Sequence, residues 1–126
     1  MKNYDVLPLF NFPLFNGKIQ PLTLKEKELI FNVAYERMEI DNGWLSEDIF
    51  ILNRPEFSSI RQKILNSFDT YVNDVLKIDS SITFDLTTSW AVKHDRDDWS
   101  QVHVHTNSVL SGILYVQVDD ISGNII

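Results

Sequence analysis

The sequence predicts an α+β domain in which helices pack on one face of an antiparallel sheet. Up to residue 78 the apolar side chains recur at spacings of three and four, as expected for helices that bury one face. From Ile82 onward apolar and polar residues alternate, as in strands with one wetter face. No low-complexity linker or internal repeat divides the chain, so residues 1–126 are expected to form one domain, with 1–78 mainly helical and 79–126 in strands.

The first predicted helix follows a lead-in of about twenty residues that is rich in Pro, Phe and Asn. We expect the apolar side chains of this lead-in to staple it across a sheet, with an aromatic cofactor site as the alternative: Leu7, Leu9, Phe10, Phe12, Leu14 and Phe15. Thr23 and Glu26 have the spacing of a capping box, which predicts a helix start at this point. The apolar face of this helix would continue to Met38, and Gly43 or a neighbour would end it.

The second predicted helix starts near Pro55, a residue that suits a first helical turn. Its apolar stripe has helical spacing and predicts core packing: Phe57, Ile60, Ile64, Leu65, Phe68, Val72, Val75 and Leu76. Three extended stretches follow, from Ile82 to Val92, from Gln101 to His105 and from Ser111 to Val118. A charged loop (residues 94–98), a break at Thr106-Asn107-Ser108 and a turn at residues 119–124 separate or end them.

Composition excludes several classes of function. A net charge of −7 argues against electrostatic binding of nucleic acid or of an anionic membrane. The chain has no cysteine, so disulfides, thiolate metal sites and a cysteine nucleophile are excluded, and any metal must be held by nitrogen or oxygen. No signal peptide and no apolar span of about 20 residues is present, which predicts a soluble cytoplasmic protein.

The pattern Gln101-Val102-His103-Val104-His105 is the strongest candidate for chemistry. On a strand both imidazoles would share one face, roughly 6.6 Å apart at Cα, with the two valines on the opposite face toward the core. Both rings can then reach one divalent metal ion. The alternative is a pair of half-exposed strand histidines bonded to their neighbours. A third ligand would come from His94 or from the loop carboxylates at 95, 97 and 98, which are more simply explained as solvated charge.

The stretch from Trp90 to Val118 resembles the metal-binding motif of a branch of the 2-oxoglutarate and Fe(II)-dependent oxygenase superfamily, known mostly from phage and marine bacterial genomes. The resemblance is carried by His-Val-His-Thr-Asn-Ser-Val-Leu-Ser-Gly-Ile-Leu-Tyr-Val, and earlier by the stretch Gly43-Trp44-Leu45-Ser46 between the two helices. It implies a double-stranded β-helix, or jelly roll, with Fe(II) as the metal and 2-oxoglutarate as the small-molecule co-substrate. It also implies hydroxylation of a substrate that the sequence does not identify.

The resemblance assigns roles to individual residues. His103 falls on the first metal ligand, and His105 falls where relatives usually have a carboxylate, so that a neutral ligand would replace a charged one. Tyr115 lies where many relatives present a hydroxyl to the co-substrate, with a sheet aromatic as the alternative. Ser111 is a further cofactor-site candidate, although a turn or strand-entry role fits Ser111 and Asn107 better. Trp90 would line the pocket or join the core.

The distal histidine and the co-substrate arginine of the superfamily are expected beyond Ile126. The sequence therefore predicts a fragment of a longer product, with a second polypeptide or a degenerate non-catalytic relative as alternatives. The competing functions are a non-enzymatic jelly-roll module, which would use its exposed sheet edges and aromatic lead-in for assembly, for example as a homo-oligomer, and a cupin-like protein with a different metal.

Overall fold

The chain combines two helices with a small three-stranded antiparallel sheet, in a computed structural model that describes residues 13–40, 42–120 and 122. In chain order the elements are α1 (Leu24–Phe31), β1 (Tyr35–Arg37), β2 (Trp44–Ser46), α2 (Ser58–Thr70) and β3 (Val92–Lys93). Short 3₁₀ turns at Ile51–Asn53 and Pro55–Phe57 lead into α2, and a π-helical turn at Tyr71–Val75 extends it. The mixed helix-and-sheet class that the sequence predicts is confirmed. Most of the predicted lead-in, residues 1–12, lies outside the described residues.

The start of α1 is the capping box that the sequence predicts. The Thr23 hydroxyl accepts a hydrogen bond from the Glu26 N–H, and the Glu26 carboxylate accepts one from the Thr23 N–H. The predicted length is wrong, because α1 ends at Phe31 and residues 35–37 form β1 instead of continuing toward Met38. Pairing of β1 with β2 supplies ladder hydrogen bonds that override the helical spacing of this stretch.

The predicted second helix is confirmed, but Val75, which was predicted to pack in the core, is 45% exposed. Phe57 and Ile60 are fully buried, and with Ile30, Ile51 and Leu52 they form the core cluster between the two helices. Because this stripe repeats every three to four residues, one face of α2 is covered along its first turns. Val72, in the π-helical turn that follows, is buried as well.

The predicted strand from Ile82 to Val92 is mostly wrong, since only Val92 and Lys93 belong to a ladder, although Ser89 forms a single bridge to Phe50. Phe84 and Leu86 are half-buried between exposed neighbours, but farther along it is Ser89 and Ala91 that are half-buried. The alternation of inward-facing and outward-facing side chains therefore shifts by one residue between Leu86 and Ser89. Backbone hydrogen bonds from Ile51 to Ser89 and from Ser89 to Ile49 hold the chain in the shifted phase.

The predicted strands at 101–105 and 111–118 join no ladder among the described residues. Val102 and Val104 are 93% and 80% exposed, so the expectation that they face the core is wrong. In the part of the chain that the structure describes, no second sheet covers them. Leu114 and Val116 are half-buried between exposed neighbours, so the alternation of the second stretch is retained without strand pairing. The turn predicted at residues 106–108 is confirmed, because the Ser108 N–H bonds to the His105 carbonyl.

Candidate metal and ligand pocket

The two faces of the sheet carry different side chains. Arg37 pairs with Trp44, and Trp44 pairs with Lys93, so these three share one face. Leu45 and Val92 are paired on the other face. Ser46 and Ala91, which continue the first face, are joined by two hydrogen bonds at the buried end of the sheet, where Ala91 packs against the helical core. The Leu45 side is consequently the face turned away from the helices.

An open pocket of about 340 Å³ lies on that second face. We call it the sheet-face pocket, and its lining residues are Met38, Leu45, Ile49, Trp90, Val92, Ser100, His103 and His105. Its size is within the range of small-molecule sites. Three of the residues that the sequence singles out therefore line one pocket on this face of the sheet: Trp90, His103 and His105.

The two imidazoles are in contact. The ring centroids of His103 and His105 are 5.0 Å apart with the ring planes at 88°, and the Trp90 ring lies 5.4 Å from that of His105. The His103 Nδ1 is 2.8 Å from the Gln101 carbonyl oxygen. Because a carbonyl only accepts, this contact places the proton on Nδ1 and leaves the Nε2 lone pair available for a metal ion. The two rings thus supply adjacent nitrogen donors at the mouth of an apolar pocket.

The candidate third ligands are engaged elsewhere. The Asp98 carboxylate accepts two hydrogen bonds from Arg37, at 2.6 and 2.8 Å, and Asp95 accepts one from the Trp44 indole N–H at 2.8 Å. His94 shares a 3.0 Å hydrogen bond with the Ser100 hydroxyl. No cluster of three or more His, Asp or Glu side chains that could hold a metal ion occurs among residues 13–40, 42–120 and 122.

Only some of the charged side chains in the loop from His94 to Asp98 face the solvent. Arg96 and Asp97 are more than nine-tenths exposed, as the sequence predicts, but the Asp98 side chain is 6% exposed. The hydrogen bonds from Arg37, and then the backbone N–H of Asp95, hold the pKa of Asp98 below its ordinary value. One carboxylate of this loop is therefore a structural anchor.

Asp98 belongs to a cluster of charged and aromatic side chains that the sequence did not predict: Tyr35, Arg37, Trp44, Lys93 and Asp98. The Lys93 ammonium lies 5.1 Å from the centre of the Tyr35 ring and 4.9 Å from that of Trp44, and the Arg37 guanidinium lies 5.4 Å from that of Trp44. Tyr35, Arg37, Trp44 and Lys93 lie on three strands, and the helical assignment of residues 33–38 hid the alternation of β1. The cluster fixes the start of the segment that continues to the histidines.

The hairpin between β1 and β2 also contacts this loop. Gly43 is buried, and a Cβ at that position would lie 2.5 Å from the Cδ2 of His94. Glycine leaves room for that ring. Gly43 therefore marks a close approach between hairpin and loop, and its predicted role in ending α1 is wrong.

The other predicted cofactor residues lie apart from the pocket. Tyr115 and Ser111 are exposed and are not among its lining residues, whereas Trp90 is. Their roles toward a co-substrate stay predictions.

Comparisons with protein-family models, with curated proteins and with solved structures find no match to this chain. Within the described residues no helix is long and apolar enough to cross a membrane.

Proposed function

We propose that this chain carries part of the metal site of an Fe(II)- and 2-oxoglutarate-dependent oxygenase, with His103 and His105 as ligands in a jelly-roll domain. The observation that carries the proposal is the pair of imidazoles whose ring centroids are 5.0 Å apart at the sheet-face pocket, within the motif that resembles this superfamily. The helices lie on the opposite side of the sheet. Among the described residues no second sheet covers the histidine face, which is where a jelly roll would place one.

The described donor set fits the metal in kind but not in number. Imidazole nitrogens suit Fe(II), but a facial site has three protein ligands, and the described residues bring two together. The described residues therefore do not form a complete iron site, and no reaction step is assigned to the metal. What this chain supplies is orientation, since the Gln101 carbonyl sets the His103 tautomer and Trp90 packs against the His105 ring.

The first experiment is metal binding to the full chain. Calorimetric titration with Co²⁺, a stable substitute for Fe(II), is expected to show one equivalent bound, and His103→Ala and His105→Ala should each weaken it at least about tenfold. His94→Ala is the matched control, because His94 is the one other histidine of the sequence, its Nε2 is engaged by the Ser100 hydroxyl and it does not line the pocket. Equal loss in all three variants, or no binding by the unaltered chain, would contradict the proposal.

The second experiment is turnover. Aerobic incubation of the protein that contains this chain, supplied with Fe(II), ascorbate and 2-oxoglutarate, should yield succinate, and His103→Ala should abolish it. An iron-loaded chain that forms no succinate with any candidate substrate would exclude this chain as a self-sufficient enzyme, whatever its metal affinity.

A second candidate function is a non-catalytic assembly module, and the exposed apolar side chains of residues 102–118 favour it. The most exposed of them are Val102, Val104, Val109, Ile113, Tyr115 and Val118. Extended segments with such side chains pair readily with strands of another copy. In sedimentation velocity, a stable metal-free oligomer that survives loss of both histidines but dissociates with Val104→Lys would support assembly over catalysis.

A further inference from the structure

The wall of the sheet-face pocket is more apolar than the chain as a whole. It is built from five apolar side chains, Met38, Leu45, Ile49, Trp90 and Val92, and the remaining lining groups are Ser100 and the two imidazoles. Among the described residues no Lys, Arg, Asp or Glu lines it, although 23% of the residues in the chain are charged. An anionic or cationic ligand would find no opposite charge on these side chains to offset its lost hydration.

The polar groups all come from one segment of the chain. Ser100, His103 and His105 follow the anchored loop, whereas the apolar wall consists of side chains from β2 and β3 and from the residues next to the strands. The Trp90 indole stands between the two regions, since it lines the pocket and also contacts the His105 ring at 5.4 Å. A planar apolar group could pack on this indole while a single polar atom reaches the imidazoles.

We infer that the sheet-face pocket binds an uncharged molecule with an aromatic or branched aliphatic body and one polar end, the apolar body lying against Leu45, Trp90 and Val92. The inference names a substrate class for the proposed oxygenase site and rests on that proposal for the role of the histidines. The volume of about 340 Å³ admits a ligand about the size of a bicyclic aromatic alcohol. The apolar wall itself does not require a metal.

The test uses two matched probes, neutral 2-naphthylmethanol and anionic 2-naphthoate, with the full chain in the presence of a chelator. The chain has three tryptophans, so proton–nitrogen correlation spectra contain three indole N–H signals, and Trp90→Phe and Trp44→Phe identify the signals of these two residues. The neutral probe should shift the Trp90 signal saturably and leave that of Trp44, on the opposite face of the sheet, in place. The naphthoate should bind at least about tenfold more weakly.

Val92→Thr, which preserves shape and adds a hydroxyl to the wall, should weaken 2-naphthylmethanol by about fivefold. Val102→Thr is the control, since Val102 is 93% exposed and outside the pocket. Equal binding of the two probes, equal effects of the two substitutions, or a shift of the Trp44 signal as large as that of Trp90 would overturn the inference. So would the absence of saturable binding.

The two proposals fail separately. If neither histidine substitution changes Co²⁺ binding but the neutral probe still binds at Trp90, the metal site is wrong and the ligand class stands. If Co²⁺ binds through both histidines and the probe does not bind, the ligand class is wrong and the metal site stands.

Discussion

The ion pair between Glu26 of α1 and Lys63 of α2 provides the sharpest test of how the helices are held together. The Lys63 ammonium donates to the Glu26 carboxylate at 2.7 Å and to the Pro21 carbonyl at 2.8 Å, and both side chains are 9% exposed. The same carboxylate accepts hydrogen bonds from the Ser59 hydroxyl and the Thr23 N–H. Glu26 therefore serves the cap of α1 and the contact with α2 at once.

The contribution of this ion pair to the free energy of unfolding follows from the pKa of the Glu26 carboxylate. The hydrogen bond from Lys63, followed by the backbone N–H of Thr23 and the hydroxyl of Ser59, lowers the pKa of Glu26 from 4.5 to about 2. A lowering of this size corresponds to about 3 kcal/mol of stabilisation of the charged form in the folded state. Lys63→Met removes the main partner but leaves the donors from Thr23 and Ser59, so only part of this stabilisation is lost. The free energy of unfolding near pH 7 should fall by about 2 kcal/mol.

The pH dependence gives an independent check. Because the folded-state pKa is lowered, the stabilisation is fully present above pH 4.5 and is lost as the pH falls through about 2. In Lys63→Met the pKa of Glu26 returns toward its ordinary value, so this acid-labile contribution shrinks. The difference between the two proteins should accordingly narrow on acidification. Other carboxylates with lowered pKa values, such as Asp98, affect both proteins alike.

Urea unfolding followed by far-ultraviolet circular dichroism, near pH 7 and near pH 3, measures both effects. Lys25→Met is the matched control, since Lys25 is an exposed lysine of α1. Adding Glu26→Gln to Lys63→Met should restore part of the loss, because no unpaired charge then remains. A loss below about 0.5 kcal/mol at neutral pH, or an unchanged difference at low pH, would refute the reasoning.

Two further substitutions test the sheet and its loop. Arg37→Met removes both hydrogen bonds from Arg37 to Asp98, so tryptic cleavage at Arg96 in the released loop should become severalfold faster. The control Arg61→Met, on α2, should leave the rate of cleavage at Arg96 unchanged. Equal cleavage rates in the two variants would argue against anchoring of the loop by Arg37. Ser46→Ala leaves the N–H of half-buried Ala91 without its hydroxyl acceptor and the Asp48 carbonyl without its hydroxyl donor, and it should cost about 2 kcal/mol in urea unfolding. Exposed Ser80→Ala should cost almost nothing, and a neutral Ser46→Ala would contradict the role of this hydroxyl.

Features that depend on neighbours in sequence were predictable. The capping box at Thr23 and Glu26 involves residues three apart, and the apolar stripe of α2 repeats within single turns. The break after His105 depends on its own short polar residues. In each case the groups that satisfy one another lie within a few residues, so composition and spacing suffice to identify them.

The errors lie where distant residues compete with local preference. Residues 35–37 have helical spacing but pair with residues 44–46, and the phase shift near Ser89 depends on hydrogen bonds to residues 49, 51 and 52. The choice between solvent and structure for Asp98 depends on Arg37, which lies sixty-one residues away. Periodicity contains no information about such partners.

The histidine pair shows both kinds of information. Its spacing and its motif context are properties of the chain, and they predicted two neighbouring imidazoles, whose ring centroids lie 5.0 Å apart although residues 101–105 form no strand. Their joint role at a metal stays a prediction. Its surroundings result from long-range packing. The ion pair between Arg37 and Asp98 anchors the preceding loop, and the pairing of β2 with β3 places Leu45 and Val92 beside the rings. Local sequence thus specifies the helices and the donor atoms, whereas contacts between residues far apart in the chain create the pocket, because a sheet face exists only once its strands have paired.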